Sequence, residues 1–330
     1  MNTTIYFNNS PSIIGVSSIG GPKESNSFIG KYIETKLKDD FFGVESFEKA
    51  EIKMLYTTVM NAIKNAGKNN DEIDCFFAGD LLNQIISATF TARNLDFSFL
   101  GLYNACATFV EALLISSTFI DGKKMNNTVC ATSSHFSTAE RQYRYPLELG
   151  STRPPQAQWT VTGAGACVLS NDGLGPKIKS ATIGKVVDYG VSDVNNMGAA
   201  MAPSAADTIV AHIKNTNSKP SDFDLIVTGD LGALGSRLCK KLCKEKGYDI
   251  DVQHVDCGEL VYNIKEDEYQ GGCGAGCVSL VFSSYIYEKL INKKLKKILL
   301  VATGALLSPT SSFQGESIPG ISHLVEIWSE

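Results

Sequence analysis

The stretch Asn104-Ala105-Cys106-Ala107-Thr108-Phe109 joins a predicted short buried strand, Phe99 to Tyr103, to a predicted helix, Ala107 to Ile120. Glu111 is the one charged residue of that helix, so we expect the helix to run through the middle of a large core. A cysteine in its first turn feels the positive end of the helix dipole, which lowers the pKa of a thiol and prepares a nucleophile. The alternative is a structural role, the commoner one for a buried cysteine.

The composition is that of a globular protein with one large domain or two fused ones. The 330 residues carry a net charge of −5, and 43% of them are hydrophobic. This mild acidity, without a basic cluster, argues against nucleic acid as a partner. We expect neither a transmembrane span nor a signal peptide, because the apolar runs are short and the N-terminus lacks a basic region. Nine cysteines without disulfide-like spacing predict free thiols in a reducing compartment.

Two phrases of the chain recur in the same order, which indicates an internal duplication. Each half has a helix, a strand ending in Gly-Asp, a turn with a cysteine, a buried helix and a closing strand. The sequence predicts an α/β protein of two pseudo-twofold-related, βαβ-rich halves, residues 1–172 and 173–330, joined at the Gly-rich segment 171–176. The matching positions are Asp74, Gly79, Asp80 and Leu81 with Asp224, Gly229, Asp230 and Leu231, and Cys106 to Thr132 with Cys273 to Thr303.

A duplicated α/β unit with a cysteine at the start of a buried helix resembles the thiolase superfamily, including its β-ketoacyl-acyl carrier protein synthase III branch. The resemblance implies a thiolase-like fold, a layered α-β-α-β-α body. Within this superfamily, several stretches are similar to the stage V sporulation protein AD family of spore-forming bacteria. These stretches are Gly79 to Gln84, Ala131 to His135, Thr138 to Gln142, Met201 to Pro203 and Ala302 to Thr310.

The resemblance implies a binding protein. Members of this family are expected to bind dipicolinic acid, with or without calcium, in the dipicolinate transport machinery of the spore inner membrane, for uptake in sporulation and release in germination. The chain would lie peripherally on that membrane in the forespore and spore, held by integral membrane subunits of the same system. The superfamily also implies a homodimer paired near Phe99 to Tyr103. We expect no cofactor and no metal apart from calcium carried by the ligand.

Enzymes of the superfamily pair the cysteine with a histidine and a second histidine or an asparagine from the other half. At the positions that resemble those of the synthase III branch, this chain has Asp230 and Cys273. An aspartate raises the pKa of a neighbouring thiol, and a cysteine is a weak hydrogen-bond donor. We therefore expect an acyl-transfer centre that has been dismantled around Cys106.

The four histidines give weak alternatives. His135 follows a strand end and is the best candidate for a surviving Cys-His pair. His212 is expected in an exposed amphipathic helix, His323 in the last loop, and His254 beside a short strand. A zinc site from Cys239, Cys243, His254 and Cys257 would lack the short Cys-x-x-Cys spacing.

A dipicolinate site needs a narrow slot with donors or a cation at each carboxylate. Asp80 and Asp230 would repel the free dianion but would suit its calcium chelate. Arg141 and Arg144 could instead pair with Glu140 or Glu148 at the surface or in a dimer contact. Residues 146–158 are predicted to cover the mouth. The candidate residues are Lys23, Asp80, Asn83, Gln84, Cys106, His135, Arg141, Arg144, Asp230, Gly272, Cys273 and Gly274.

Three functions remain open at this point. The first is a non-catalytic dipicolinate-binding component. The second is an active thiolase or ketoacyl synthase with Cys106 as the acyl-accepting nucleophile. The third is a structural subunit with a vestigial pocket.

Overall fold

The computed structural model describes residues 3–143, 153–262 and 270–329. The strands are β1 (Thr4–Tyr6), β2 (Ser12–Gly20), β3 (Thr35–Lys36), β4 (Cys75–Gly79), β5 (Ser98–Gly101), β6 (Asn127–Ser134), β7 (Trp159–Thr160), β8 (Gly163–Ser170), β9 (Lys177–Thr182), β10 (Leu225–Thr228), β11 (His254–Asp256), β12 (Gly272–Cys273), β13 (Lys297–Ala305) and β14 (Gly320–Trp328). The helices are α1 (Pro22–Ser25), α2 (Phe47–Asn65), α3 (Ile86–Arg93), α4 (Thr108–Asp121), α5 (Phe136–Tyr143), α6 (Met197–Asn215), α7 (Gly232–Glu245), α8 (Cys257–Val261), α9 (Ala275–Val281), α10 (Tyr287–Ile291) and α11 (Pro309–Phe313).

The main sheet consists of two equivalent halves. Its first half has the strand order β5-β4-β6-β8-β2 and its second half the order β11-β10-β13-β14-β9. In each half the first three strands are parallel and the next two join antiparallel. The halves meet at a single register pair between β2 and β9, Ser12 with Lys177. This topology confirms the duplicated α/β fold.

Helices lie between and outside the two half-sheets. The central α4 contacts β4 and β6 of the first half as well as β13 and β14 of the second. Helix α2 packs on the outer side of the first half-sheet, and α6 packs on that of the second. The apolar sequence of α4 is explained by this position, because a helix covered on both sides has no face for charges. The predicted layered α-β-α-β-α body is confirmed.

Local sequence signals set several boundaries. Ser46 caps α2 by accepting a hydrogen bond from the backbone N–H of Lys49, and Gly67 follows that helix with a φ of +67°.

The division predicted between residues 172 and 173 falls in the turn between β8 and β9. One strand crosses it, since β1 pairs with β9. Among the described residues, no helix is long and apolar enough to cross a membrane.

Three local predictions were wrong. The strand predicted as buried from Phe99 to Tyr103 is the largely exposed edge strand β5, because β4 is its one partner in the sheet. His212, predicted on an exposed face, is fully buried between α6 and the sheet. His323, predicted in a loop, lies within β14. All nine cysteines are free and buried, as expected for reduced thiols.

Candidate functional site

The Cys106 turn lies between β5 and α4. Residues 105–107 form a 3₁₀ turn, and Ala105 has a left-handed φ of +48°. The Thr108 hydroxyl stabilises the turn by donating to the carbonyl of Ala105 and accepting from the backbone N–H of Asn104. A non-glycine residue in this conformation costs about 1 kcal/mol or more, so the surrounding packing imposes it. The strained turn places the Cys106 side chain at the floor of a cavity.

Asp230 lies directly beside Cys106 and comes from the other half of the chain. It follows β10, and its carboxylate accepts hydrogen bonds from the Thr303 hydroxyl at 2.7 Å and the backbone N–H of Gly274 at 3.1 Å. Its third partner is the Cys106 thiol. Burial raises the pKa of Asp230 to about 6, and these three donors partly offset that rise.

The environment of Cys106 opposes thiolate formation. Burial raises the pKa of the Cys106 thiol well above its ordinary value, and the charge of Asp230 and the neighbouring Cys273 raise it further. A hydrogen bond from the backbone of Gly274 works in the other direction but is a smaller effect. The lowered thiol pKa expected from the helix dipole is therefore not found. Cys106 is held as a neutral thiol.

Cys273 belongs to a short second sheet. Its strand β12 pairs with β7, and its thiol lies 3.7 Å from the Thr160 hydroxyl. Gly274 follows with a φ of +110°, and a Cβ there would meet the Ser134 hydroxyl at 2.7 Å. The residue thus has to be glycine for the turn to bring its N–H to Asp230.

A cavity of about 250 Å³ opens above these residues. Four of the residues expected at the site line it: Asn83, Cys106, Cys273 and Gly274. Its walls are mainly apolar, and no lysine or arginine is among the lining residues that the structure describes. The other lining residues are Leu81, Tyr103, Ala105, Ala139, Tyr143, Thr160, Met197, Ala305, Leu306, Leu307 and Ser308.

The principal donors in the cavity are two tyrosines that the sequence analysis missed. The hydroxyls of Tyr103 and Tyr143 lie 3.0 Å apart, and that of Tyr143 donates to the carbonyl of Leu81. Burial raises the pKa of Tyr143 above its ordinary value, so this hydroxyl stays protonated. Their positions in the sequence could have indicated them. Tyr103 adjoins the Cys106 stretch, and Tyr143 is one turn after Ala139 on α5.

Two carboxylates lie behind this cavity wall without facing the cavity. Asp80, expected in the cleft, is fully buried and accepts hydrogen bonds from the backbone N–H groups of Leu82 and Ala88. Glu51 of α2 accepts from the hydroxyls of Ser133 and Thr138. Both carboxylates have raised pKa values because they are buried. Asp80 therefore shapes the 81–88 loop and does not line the cavity, where it was expected.

Two of the cationic candidates, Lys23 and Arg141, lie outside the cavity lining. Lys23 is stacked over the ring of Trp159 at 4.4 Å, and Arg141 forms an ion pair with Glu48 on α2. The surface pairing of Arg141 is of the expected kind, with a different partner. Arg144 lies outside the described residues, as do residues 146–152 of the segment expected over the mouth. In the described part of that segment, Arg153 pairs with Glu140.

Neither Gln84 nor Gly272 lines the cavity. Gln84 has a φ of +56° at the start of the turn before α3, and its carbonyl accepts from Thr89. Gly272 pairs with Trp159, and its carbonyl accepts from the Gln158 amide, which also bonds to the carbonyl of Asp230. Gly272 thus lies behind the cavity wall and stabilises the turn that contains Cys273 and Gly274.

The histidines do not form a pair with Cys106. His135, the best candidate from sequence, is bonded to the carbonyl of Asp40 and stacked on Phe47, so this expectation is wrong. His323 does reach the Cys106 turn, but its ring nitrogen contacts the Asn104 amide at 3.0 Å. Burial lowers the pKa of His323 to about 4, so its ring is neutral at physiological pH.

The four candidate zinc ligands also do not form a metal site. His254 bonds to the Thr228 hydroxyl, and the Cys239 thiol is hydrogen-bonded to that of Cys243 on the same helix. Within the described ranges, no group of three or more His, Cys, Asp or Glu side chains could hold a metal ion.

Comparison with known proteins identifies the family. The family model described as Stage V sporulation protein AD (SpoVAD) matches residues 1–328. The chain belongs to the SpoVAD family. It is 43% identical over 313 residues to Stage V sporulation protein AD of Bacillus subtilis (strain 168), covering 94% of this chain and 93% of that protein. The sporulation-protein resemblance is thereby confirmed.

Solved structures place this SpoVAD family member in the thiolase-like fold. OleA from Xanthomonas campestris aligns with a TM-score of 0.63 at 14% identity, covering 98% of both chains. The 3-oxoacyl-[acyl-carrier-protein] synthase III from Aquifex aeolicus VF5 aligns with a TM-score of 0.55 at 14% identity, covering 96% of this chain and 99% of that one. At these identities the likeness concerns the fold alone.

Proposed function

We propose that this SpoVAD family member is a non-catalytic component that binds dipicolinate in the transport machinery of the spore. The observation that carries the proposal is the buried Asp230 carboxylate beside Cys106, at the floor of a cavity. In a thiolase-like enzyme the cysteine has to become a thiolate before it can accept an acyl group. A buried carboxylate beside the sulfur makes that ionisation harder, while the cavity above it is kept.

The lining favours the calcium chelate over the free dianion. A dianion in this cavity would meet tyrosine hydroxyls, the Asn83 amide and backbone groups, with no described lysine or arginine to balance its charge. The one-to-one calcium chelate has no net charge, and its flat ring suits the apolar walls. The Asn83 amide and the Ser308 hydroxyl are then donors to the carboxylate oxygens, and the hydroxyls of Tyr103 and Tyr143 donate to the ligand in exchange for their present hydrogen bonds.

Titration calorimetry tests the proposal directly. We expect heat with dipicolinate in the presence of calcium, weaker binding without calcium, and no heat with acetyl-CoA. Replacing Tyr143 by Phe removes one hydroxyl donor and should weaken binding by about fivefold to twentyfold, the usual effect of one hydrogen bond. Tyr56→Phe, on a helix away from the cavity, is the matched control. Absence of heat with dipicolinate in both conditions would refute the proposal.

An acyltransferase is the competing function, since the cysteine and the fold are both retained. Incubation with acetyl-CoA followed by mass spectrometry separates the two. We expect unmodified Cys106, and an acyl adduct on this residue would establish the enzyme instead.

We further propose that the protein works at the inner membrane of the forespore and spore as a peripheral protein, held by integral membrane subunits of the transport system. We also propose a homodimer that pairs through β5, since this edge strand leaves Leu100 43% and Tyr103 53% exposed. Sedimentation of the purified chain should show a dimer. Leu100→Lys should shift it toward the monomer, whereas Val252→Lys, at a more exposed apolar residue elsewhere, should not.

A further inference from the structure

The end of the molecule opposite the cavity gathers lysines from both halves of the chain. The cavity lies beyond the carboxyl ends of the parallel strands, at the Gly-Asp turns. The turns that lead into β6 and β13 therefore lie at the opposite edge of the sheet. They contain the pairs Lys123-Lys124 and Lys293-Lys294. The two pairs are far apart in the sequence, and the fold places them at the same edge of the sheet.

The two lysine pairs occupy equivalent positions of the duplicated unit. Lys123 and Lys293 both adopt a left-handed φ, +56° and +55°. Three residues after each, a backbone N–H donates to the aspartate that precedes β4 or β10: Asn126 to Asp74 at 2.5 Å, and Lys296 to Asp224 at 2.7 Å. Glycine is the usual residue at such a left-handed position after a helix, yet lysine holds it in both halves.

These ammonium groups are not used inside the fold. All four lysines are exposed, and the structure shows no ion pair between any of them and a described acidic residue. The nearby carboxylates point to the backbone, since Asp74 and Asp224 accept from the turns themselves and Asp121 accepts from the N–H of Asn9. The positive charge is therefore available to an external partner.

Two exposed aliphatic side chains lie among the lysines. Leu174, at the tip of the turn between β8 and β9, is 100% exposed, and Ile291 beside the second lysine pair is 50% exposed. The Leu174 turn is tied to the first lysine turn by a hydrogen bond from the N–H of Asn171 to the carbonyl of Asn126. Ile14 links the two aliphatic residues, because it borders a groove with Ile291 and lies against Gly173.

We propose that this surface, the lysine end (Lys123, Lys124, Leu174, Ile291, Lys293 and Lys294), docks directly on an anionic lipid bilayer. Lysines within a Debye length of anionic headgroups are attracted to them, and adjacent aliphatic side chains enter the boundary of the acyl region. Nucleic acid fits less well, since its single strands are bound on aromatic platforms and its phosphates by arginine forks as well as lysines. The lysine end presents neither aromatic rings nor arginine.

The proposal rests on the peripheral location proposed above and adds to it a contact surface, with lipid as a partner besides the integral membrane subunits. Its test uses the full-length chain with vesicles and contains no dipicolinate, so its failure is separate from failure of the ligand proposal. Flotation would compare vesicles of phosphatidylcholine alone with vesicles that also contain phosphatidylglycerol. We expect binding to the anionic vesicles only, weakened by added salt.

Substitutions locate the contact. Changing Lys123, Lys124, Lys293 and Lys294 together to Gln should lower the vesicle partition coefficient by roughly a hundredfold or more, on the order of fivefold for each lysine. Leu174→Ser should reduce the part of binding that survives high salt. The matched control changes Lys36, Lys38, Lys49 and Arg237, exposed basic residues outside the lysine end, to Gln and should retain binding.

Circular dichroism and thermal melting check that each variant is folded. Equal binding by the lysine-end variant and the wild-type chain would overturn the proposal, and so would equal loss in the control, which would indicate a general charge effect. Binding to a DNA duplex with no binding to anionic vesicles would also overturn it.

Discussion

Burial and a charged neighbour together decide the protonation state of Cys106. Its position at the start of a buried helix favours a thiolate, but burial and the Asp230 carboxylate outweigh the few interactions that stabilise the charged form. The helix dipole acts on an exposed or moderately buried group by about 1 kcal/mol, less than the cost of burying an unpaired charge. The same turn therefore holds a neutral thiol here.

Asp230→Asn should make Cys106 more reactive. The amide oxygen can accept from the Gly274 N–H while the amide nitrogen donates to the Thr303 hydroxyl, and the negative charge beside the sulfur is removed, so the pKa of the Cys106 thiol should fall. Alkylation of Cys106 by iodoacetamide, followed by mass spectrometry across an alkaline pH series, should be faster and begin at lower pH. Asp256→Asn, at a buried aspartate that bonds to Leu231 and Thr228, should leave the Cys106 rate unchanged.

Equal alkylation profiles for Asp230→Asn and the wild-type chain would show that the carboxylate does not control this thiol.

At the scale of the element, the turn from Gly272 to Gly274 has the strictest geometric requirement at the site. It carries the N–H that reaches Asp230, and it packs against Ser134 so closely that a side chain does not fit. The turn thereby aligns the short sheet of β7 and β12 with the end of β10. One wall of the cavity depends on that alignment.

Gly274→Ala should destabilise the fold by more than about 2 kcal/mol, because a φ of +110° and a contact at 2.7 Å are both imposed on the new Cβ. Gly247→Ala is a matched control, since its φ is +90° and no atom lies within 4 Å of the added Cβ. It should cost only the backbone strain, roughly 1–2 kcal/mol. Urea unfolding measures both free energies, and equal values would mean that the close packing at Gly274 contributes nothing.

Elements whose own residues specify their structure were predictable from the sequence. Elements whose burial depends on tertiary packing were not. The Ser46 cap, the apolar α4 and the two Gly-Asp strand ends define their own positions. By contrast, β5 has the composition of a buried strand, and its exposure depends on its place at the end of the half-sheet. His212 is itself polar and lies on an amphipathic helix, and its burial depends on how α6 lies on β14.

The site was predictable in part for the same reason. Cys106, Cys273 and Gly274 meet because the duplication places both cysteine turns at the same edge of the sheet. Tyr103 and Tyr143 come from elements whose approach depends on the 81–88 loop, which the backbone bonds of Asp80 shape. The spacing of residues along the chain does not predict the contact between Tyr103 and Tyr143.

At the scale of the whole molecule, a buried ionic cluster joins α6 to the second half-sheet. His212 of α6 lies 3.4 Å from the Glu326 carboxylate of β14, which also accepts from Ser180 and Trp328. Burial alone would raise the pKa of Glu326, but the nearby His212 and the hydrogen bonds from Ser180 and Trp328 outweigh it and hold this pKa at about 2.

This cluster predicts a specific loss of stability in acid. Because the pKa of Glu326 is lower in the folded than in the unfolded chain, its contribution is complete above about pH 4.5 and is lost as the pH falls toward 2. Glu326→Gln should lower the free energy of unfolding at neutral pH by about 3 kcal/mol and flatten its decline in that acid range. Urea titrations across the range measure both effects.

Glu45→Gln, at an exposed glutamate that also has a lowered pKa, should behave almost as the wild-type chain does. An unchanged acid profile for Glu326→Gln would contradict the assignment.

The Cys106–Asp230 bond joins the two copies of the duplicated unit, since the thiol belongs to the first and the carboxylate to the second. Any hinge motion that separates the copies at the cavity has to break this bond and admit water to the sulfur. At a fixed pH, where the ionisation of the thiol is constant, a change in the rate at which Cys106 is labelled therefore reports a change in how often the two copies part. Labelling of this native cysteine thus measures the relative motion of the two halves without an introduced cysteine.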